Sequence, residues 1–147
     1  MEFATEKQIE SFLSTCRIEG QKNFLMAFKK KTWLKSFIDF FIIGGSYYVQ
    51  SSVKPKILAF TPKGIYLMDI SDVTENHSNQ VVEMPWNQVK DFTYKPVLNT
   101  VRLNWNYQNE AYIFSVDVGQ ISQHVGQYQF NKEHYDYLAQ QDFFRSK

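Results

Sequence analysis

The stretch from Lys54 to Ile70 constrains the fold more than any other part of this chain. It contains two apolar runs, 57–60 and 65–70, separated by Thr61-Pro62-Lys63-Gly64. Proline presets φ for the first central position of a turn, and glycine accepts backbone angles that other residues resist. Two strand-length apolar runs joined by such a turn predict a β-hairpin.

Strand signals recur along much of the remaining chain. Residues 101–105 alternate between apolar and polar, which is the period of a strand with one buried face, and residues 112–118 do the same after a polar turn at 106–109. Shorter apolar runs at 23–29, 81–84 and 89–94 also predict strands. The apolar positions of the two alternating strands are Val101, Leu103, Trp105, Tyr112, Phe114, Val116 and Val118.

Helix signals lie at the two ends of the chain. Thr5 and Gln8 have the spacing of a capping box, and an apolar stripe follows, so an N-terminal helix is predicted within 1–19. Asn131 is suited to cap a C-terminal helix over 131–145. Between these helices, the polar stretch 71–80 predicts a loop, and residues 119–130 predict no definite element.

A strongly apolar insert interrupts the predicted strands at 32–53. Its centre, Trp33 to Gly45, contains Lys35 and Asp39 and is shorter than the roughly 20 apolar residues that span a bilayer. A segment this apolar must be covered by the domain itself, by a second subunit or by a membrane surface. Its aromatic residues and the lysines around it form the candidate interaction surface: Lys29, Lys30, Lys31, Trp33, Lys35, Phe37, Phe40, Phe41, Lys54 and Lys56.

The composition suits one domain. A chain of 147 residues has the length of a single domain, and its aromatic content of 17% favours strands. Its single cysteine excludes an internal disulfide framework, and the N-terminus lacks the basic and apolar regions of a signal peptide, so we expect a cytoplasmic protein. Consecutive hairpins followed by a terminal helix predict a mainly β fold, a small and partly closed barrel plugged by that helix.

Three passages resemble the bacterial pleckstrin-homology-like (PH-like) domains found in short proteins of unknown function. They are Leu58 to Leu67, Glu83 to Phe92 and Leu103 to Val116, and the resemblance spans about residues 20–145. It implies a single PH-like domain over 1–147, with a bent barrel of about seven antiparallel strands and a C-terminal capping helix. The resemblance implies little about activity, because this fold hosts lipid-head-group binding, peptide binding and purely structural roles.

The residues do not suggest catalysis. Neither Cys16 nor any serine stands in a recognisable set with a base, the three histidines form no metal motif, and no glycine-rich phosphate loop is present. We therefore expect a protein that is not an enzyme, that carries no cofactor or metal, and that has no identifiable small-molecule substrate.

The expected function is a non-catalytic interaction or scaffold domain that binds a protein partner or forms a homo-oligomer. The alternative is a peripheral membrane module, in which the lysines of the candidate interaction surface, here called the lysine rim, and the aromatic residues of the insert bind an anionic membrane surface. The lysines could instead form a solvated edge that keeps strands from pairing with other chains. A near-neutral net charge of +1 argues against a nucleic-acid partner.

Overall fold

The described strands are antiparallel and form one seven-stranded sheet, which confirms the predicted mainly β fold with a helix at each end. The computed structural model describes residues 4–29, 55–76, 80–119 and 130–145. The strands are β1 (Phe24–Lys29), β2 (Pro55–Phe60), β3 (Gly64–Asp69), β4 (Val82–Pro85), β5 (Val89–Val97), β6 (Thr100–Tyr107) and β7 (Glu110–Asp117). The helices are α1 (Glu6–Thr15), α2 (Ile70–Thr74) and α3 (Phe130–Gln140), with 3-10 turns at Trp86–Gln88 and Asp142–Phe144.

The strand order in the sheet is β4-β3-β2-β1-β7-β6-β5, and the sheet is not closed. Strands β4 and β5 are therefore its edges. The join between the two halves is narrow, because β1 and β7 pair only at Phe28 with Ser115 and at Lys29 with Phe114. Toward Phe24 the two strands have no further paired residues.

The predicted hairpin at 57–70 is present as β2 and β3. Its turn is closed by reciprocal backbone hydrogen bonds between Thr61 and Gly64, at 3.0 and 3.2 Å. Trp86 donates its indole N–H to the Thr61 carbonyl oxygen at 2.7 Å, which fixes the corner after β4 against this turn. A Cβ atom at Gly64 would lie 2.2 Å from the Met84 carbonyl oxygen, so only glycine allows β4 to approach this closely.

Apolar residues cover both faces of β1 and β2. The inner face of the sheet carries Leu25 of β1, Leu58 of β2 and Trp105 of β6. It packs against Leu138 of α3 and against Phe143. The outer face carries Phe24, Met26 and Ile57 and packs against α1, α2 and Phe130. Burial on both faces explains why the first strands are continuous apolar runs, whereas β6 alternates.

Helix α1 has the predicted capping box. The Gln8 backbone N–H donates to Thr5 Oγ1 at 3.1 Å, and the Thr5 N–H donates to Gln8 Oε1 at 2.8 Å. The helix ends at Thr15, earlier than the predicted range 1–19, because Arg17 adopts φ 60° and the Ile18 N–H donates back to the Leu13 carbonyl at 2.8 Å. This is a Schellman ending, with Arg17 at a position where glycine is usual.

Two other predicted elements differ from the structure. Residues Ile70–Thr74 form the short helix α2, although the sequence predicts a strand end at Ile70 and a loop over 71–80. The Asp69 N–H donates to the Asp72 carboxylate at 2.8 Å at the start of this helix. Helix α3 begins at Phe130, so Asn131 lies inside the helix, and its side chain hydrogen-bonds to the sheet. The insert 32–53 and the ambiguous residues 120–129 lie outside the described residues.

The predicted C-terminal helix 131–145 stops at Gln140, and a left-handed turn follows it. Asp142, Phe143 and Phe144 have φ of 49°, 55° and 63°. Such angles are unfavourable for L-residues by roughly 1–2 kcal/mol each. Phe143 is fully buried against Phe60 and Tyr94, with ring centroids 4.9 and 4.6 Å away, and this burial offsets the strain.

Candidate functional site

The chain leaves the sheet after β1 and returns beside it at β2. Phe28 pairs with Pro55 and Ala27 pairs with Lys56, so Lys29 and Lys56 point to the inner face of neighbouring strands. The register thus brings together the two residues of the candidate surface that are described. The others, Lys30, Lys31, Trp33, Lys35, Phe37, Phe40, Phe41 and Lys54, lie outside the described residues.

Lys29 is exposed and lies beside an acidic and an aromatic side chain. Its Nζ is 3.9 Å from Glu110 Oε1 and 5.2 Å from the centroid of the Tyr112 ring. The Tyr112 hydroxyl donates to Glu110 Oε2 at 3.2 Å. Burial, followed by the charge of Glu110, raises the pKa of Tyr112 above 10.0, so the ring stays neutral beside this ion pair.

Lys56 forms an ion pair with Asp69, its direct partner across β2 and β3. Both described lysines of the candidate surface therefore face a carboxylate. Exposed ion pairs of this kind contribute only about 0–1 kcal/mol to stability. They nevertheless neutralise much of the positive charge that Lys29 and Lys56 would present to an anionic surface.

The outer face of β5, β6 and β7 differs from the rest of the sheet. Arg102 lies directly opposite Lys95 on one side and Ser115 on the other, so two cations are cross-strand neighbours. Neither cation has a hydrogen bond or an ion pair with any residue in the described part of the chain. Like charges directly opposite each other on a sheet are unfavourable, so this pair does not serve sheet stability.

A shallow depression of about 270 Å³ lies on this outer face. We call it the β6 depression, and its outward-facing lining comprises Asp91, Arg102, Asn104, Asn106, Ala111 and Ile113. Arg102 and Asn106 are four residues apart on β6, which places them about 13 Å apart along the strand. The Asn104 Oδ1 atom is inaccessible to solvent and has no hydrogen-bond partner among the described residues.

A β-bulge places Asp91 at one end of the β6 depression. Lys90 pairs with Asn106 and Thr93 pairs with Asn104, so Asp91 and Phe92 together face a single residue of β6. Asp91 adopts φ 57° and its carboxylate accepts a hydrogen bond from Asn106 Nδ2 at 3.3 Å. The depression therefore has a carboxylate at one end, a guanidinium at the other and amides between them.

The edge of β5 carries several features that discourage strand addition. It has the bulge, the exposed residues Lys90 and Lys95, and Pro96, which lacks a backbone donor. Arg145 also donates from Nη1 to the Phe92 carbonyl oxygen at 2.9 Å. The opposite edge, β4, is only four residues long and ends in proline.

Helix α3 buries two polar side chains that sequence reasoning did not select. Asn131 bridges the gap between β1 and β7: its Oδ1 accepts from the Met26 N–H at 2.9 Å, and its Nδ2 donates to the Met26 and Asp117 carbonyls at 2.9 and 3.1 Å. Asn131 and His134 share a helix face with Leu138 at spacings i, i+3 and i+7, and this spacing was the available signal.

His134 is fully buried and joins α1, β1 and α3. Its Nδ1 lies 2.8 Å from the Phe24 carbonyl oxygen, and its Nε2 lies 3.0 Å from Glu6 Oε1. The Phe24 and Phe130 rings pack against the imidazole at 4.6 and 5.0 Å. These contacts explain the position of His134 as a structural link between elements.

The remaining candidates for reactive chemistry are the Cys16 thiol and groups of side chains that could bind a metal. Cys16 is half-buried, and burial raises the pKa of its thiol, which disfavours the reactive thiolate. Within residues 4–29, 55–76, 80–119 and 130–145, no three His, Cys, Asp or Glu side chains are grouped as metal ligands would be. No helix in these same ranges has the length and apolar character needed to cross a membrane.

Comparison of the sequence with models of known protein families and with curated proteins finds no match. The PH-like assignment therefore stays a prediction from the sequence.

Proposed function

We propose that this chain is a non-catalytic interaction domain of the PH-like kind and that it binds a protein. The supporting observation is the uneven covering of the sheet. The outer face of β1, β2 and β3 is packed by α1 and α2, whereas the outer face of β5, β6 and β7 exposes alternate residues to solvent. Two cations that lie side by side on this face, with no carboxylate within 4.0 Å among the described residues, suit recognition better than stability.

The partner is expected on this face and not along a strand edge. Both edges of the sheet are blunted, by the bulge, lysines and proline of β5 and by the shortness of β4. The face is small. Three strands about 4.8 Å apart and eight residues at about 3.3 Å each give a projected area of roughly 400 Å².

Two variants that each introduce two negative charges test this proposal. The face variant Thr93→Glu/Asn104→Glu places two carboxylates on the outer face, and the control Ser11→Glu/Thr15→Glu places two on the exposed side of α1. Proteins crosslinked to the chain in cells are identified by mass spectrometry, and light scattering after size exclusion reports self-association.

We expect one partner, or a second copy, to be lost only with the face variant. Equal binding by both variants would contradict a role for this face. Turnover by the purified chain in a broad hydrolase screen would contradict a non-catalytic function.

A second candidate function is docking on an anionic membrane through the lysine rim and the aromatic insert. The register that returns Pro55 beside Phe28 favours it, because Lys29 and Lys56 are brought to one end of β1 and β2. Each lysine near an anionic surface would contribute about 1 kcal/mol. The ion pairs of Lys29 with Glu110 and of Lys56 with Asp69 weigh against it.

Co-sedimentation with anionic liposomes at two salt concentrations tests the membrane function. The wild-type chain is compared with a Lys29→Ala/Lys30→Ala/Lys31→Ala variant. Salt-sensitive binding that the variant loses would support membrane docking. Binding that is absent, or that does not respond to salt, would dismiss it.

A further inference from the structure

Among the titratable side chains of α3, only His134 is fully buried, and both of its ring nitrogens lie beside acceptors. Nδ1 is 2.8 Å from the Phe24 carbonyl oxygen, and Nε2 is 3.0 Å from Glu6 Oε1. A carbonyl oxygen and an ionised carboxylate only accept hydrogen bonds, so each contact needs an N–H on the ring. A neutral imidazole has one N–H and the imidazolium has two. With Glu6 ionised, both contacts are hydrogen bonds only if the ring is protonated on both nitrogens.

The surroundings of Glu6 favour its ionised form. The Glu6 side chain is 46% exposed to water, and Glu6 is the first residue of α1, where the helix dipole stabilises a carboxylate. The second proton of the pair is therefore placed on the ring of His134. Burial disfavours a charged imidazole, and the two charge-assisted hydrogen bonds to the Phe24 carbonyl and to Glu6 offset this cost.

Glu6 is the only charged group that contacts His134 among the described residues. On β1, the Phe24 carbonyl and ring face the imidazole, and the only titratable side chain of that strand is the lysine at its far end. On α3, the Phe130 ring covers the imidazole at 5.0 Å, and the neighbouring Glu133 is paired with Lys22. The other charged side chains of α1 and α3 form no hydrogen bond or ion pair with His134: Lys7, Glu10, Lys132 and Asp136.

We propose that His134 and Glu6 form a pH-sensitive latch that holds α1 on α3. In the closed latch, the protonated Nε2 donates a charge-assisted hydrogen bond to Glu6. When the ring loses this proton, Nδ1 keeps its hydrogen for the buried Phe24 carbonyl, and the Nε2 lone pair faces a carboxylate oxygen. That contact is repulsive, and Glu6 turns toward water because its side chain is already almost half exposed.

Release of the latch loosens α1 from the outer face of β1 and β2. The Glu6 contact is the only side-chain hydrogen bond that joins α1 to another described element, and the remaining contacts of α1 are apolar. Beneath α1 lie Phe24, Met26 and Ile57. The latch thus makes exposure of this apolar face depend on pH: α1 is held at acidic pH and opens more often as the pH rises and the ring deprotonates.

NMR of the isotope-labelled full-length chain tests the latch between about pH 5 and pH 8, the range in which imidazole side chains change charge. The ring nitrogen shifts of His134 report which nitrogens carry a hydrogen, and exchange of the α1 amides reports opening of the helix. In Glu6→Gln, the amide offers an N–H to the neutral ring and an oxygen to the charged ring, so the contact persists at every pH. Glu19→Gln removes an exposed carboxylate outside α1 as the control.

We expect the His134 ring to carry hydrogens on both nitrogens at acidic pH and on Nδ1 alone at alkaline pH. Protection of the α1 amides, corrected for the intrinsic pH dependence of exchange, should fall about tenfold over this range in the wild type and in Glu19→Gln, and should stay constant in Glu6→Gln. A ring with one N–H at every pH, constant protection of α1 in the wild type, or a Glu6→Gln profile equal to that of the wild type would overturn the proposal. None of these results bears on the proposed protein-binding face, which lies on β5, β6 and β7.

Discussion

Replacing Asn131 with alanine is expected to destabilise the chain far more than a typical single substitution. The side chain of Asn131 satisfies the N–H and the carbonyl of Met26 and the carbonyl of Asp117, where β1 and β7 have no paired residues. A buried backbone group left without a partner costs about 1–3 kcal/mol. Because water entering the vacated space recovers part of three such losses, we expect the free energy of unfolding to fall by about 3–5 kcal/mol.

Equilibrium unfolding in urea measures this loss. With a slope of about 2 kcal/mol per molar urea, the midpoint should fall by about 2 M with the slope unchanged. Hydrogen exchange at the Met26 amide should lose its protection at the same time. The control Lys132→Ala, at the exposed neighbouring position, should change stability by no more than about 0.5 kcal/mol. A loss below about 1 kcal/mol for Asn131→Ala would refute the bridging role.

Three further predictions concern backbone geometry and pH. Leu98 is 97% exposed and adopts φ 58°. Leu98→Gly should therefore raise the free energy of unfolding by about 1 kcal/mol, and Leu98→Ala should leave it nearly unchanged. A glycine variant less stable than the wild type would contradict this prediction. Gly64→Ala should lower the urea midpoint by the equivalent of about 2–3 kcal/mol, because the new Cβ meets a backbone oxygen. Gly20→Ala should lower the midpoint less, since its Cβ meets the movable Leu13 side chain at 3.0 Å. A larger loss of stability for Gly20→Ala than for Gly64→Ala would refute the reasoning. Burial raises the pKa of Tyr66, Tyr112 and Tyr135 in the folded chain, so the stability that these three tyrosines contribute should be fully present below pH 10.0 and should fall as pH rises through the raised pKa values. Absorbance of tyrosinate should show this late ionisation, and Tyr112→Phe should remove one part of it; early ionisation of all tyrosines would contradict the prediction.

The elements that the sequence determined are those with local causes. Thr5 and Gln8 cap α1 through contacts three residues apart, and the Thr61 to Gly64 turn sets the hairpin of β2 and β3. The alternation in β6 and β7 follows from one buried face, so its period appeared directly in the residues. These signals depend on near neighbours and need no knowledge of the remaining fold.

Other features were decided by contacts between residues distant in sequence. Asn131 looked like a helix cap, yet its amide reaches a strand 105 residues away. The left-handed turn at Asp142–Phe144 exists because Phe143 is buried between Phe60 and Tyr94. The residues next to Phe143 in the sequence do not predict this burial. The helix α2 formed within a polar stretch because Ile70 and Val73 pack on the outer face.

The candidate binding site shows the same division. The sequence predicted an interaction surface around Lys29 and Lys56 from charge and apolar character, both of which are visible in the residues themselves. Arg102, Lys95 and Asn104 were simply polar positions of an alternating pattern. Only the register of β5 against β6 places the two cations side by side. Only the tertiary structure packs α1 and α2 on the outer face of β1, β2 and β3, while no described helix packs on the outer face of β5, β6 and β7.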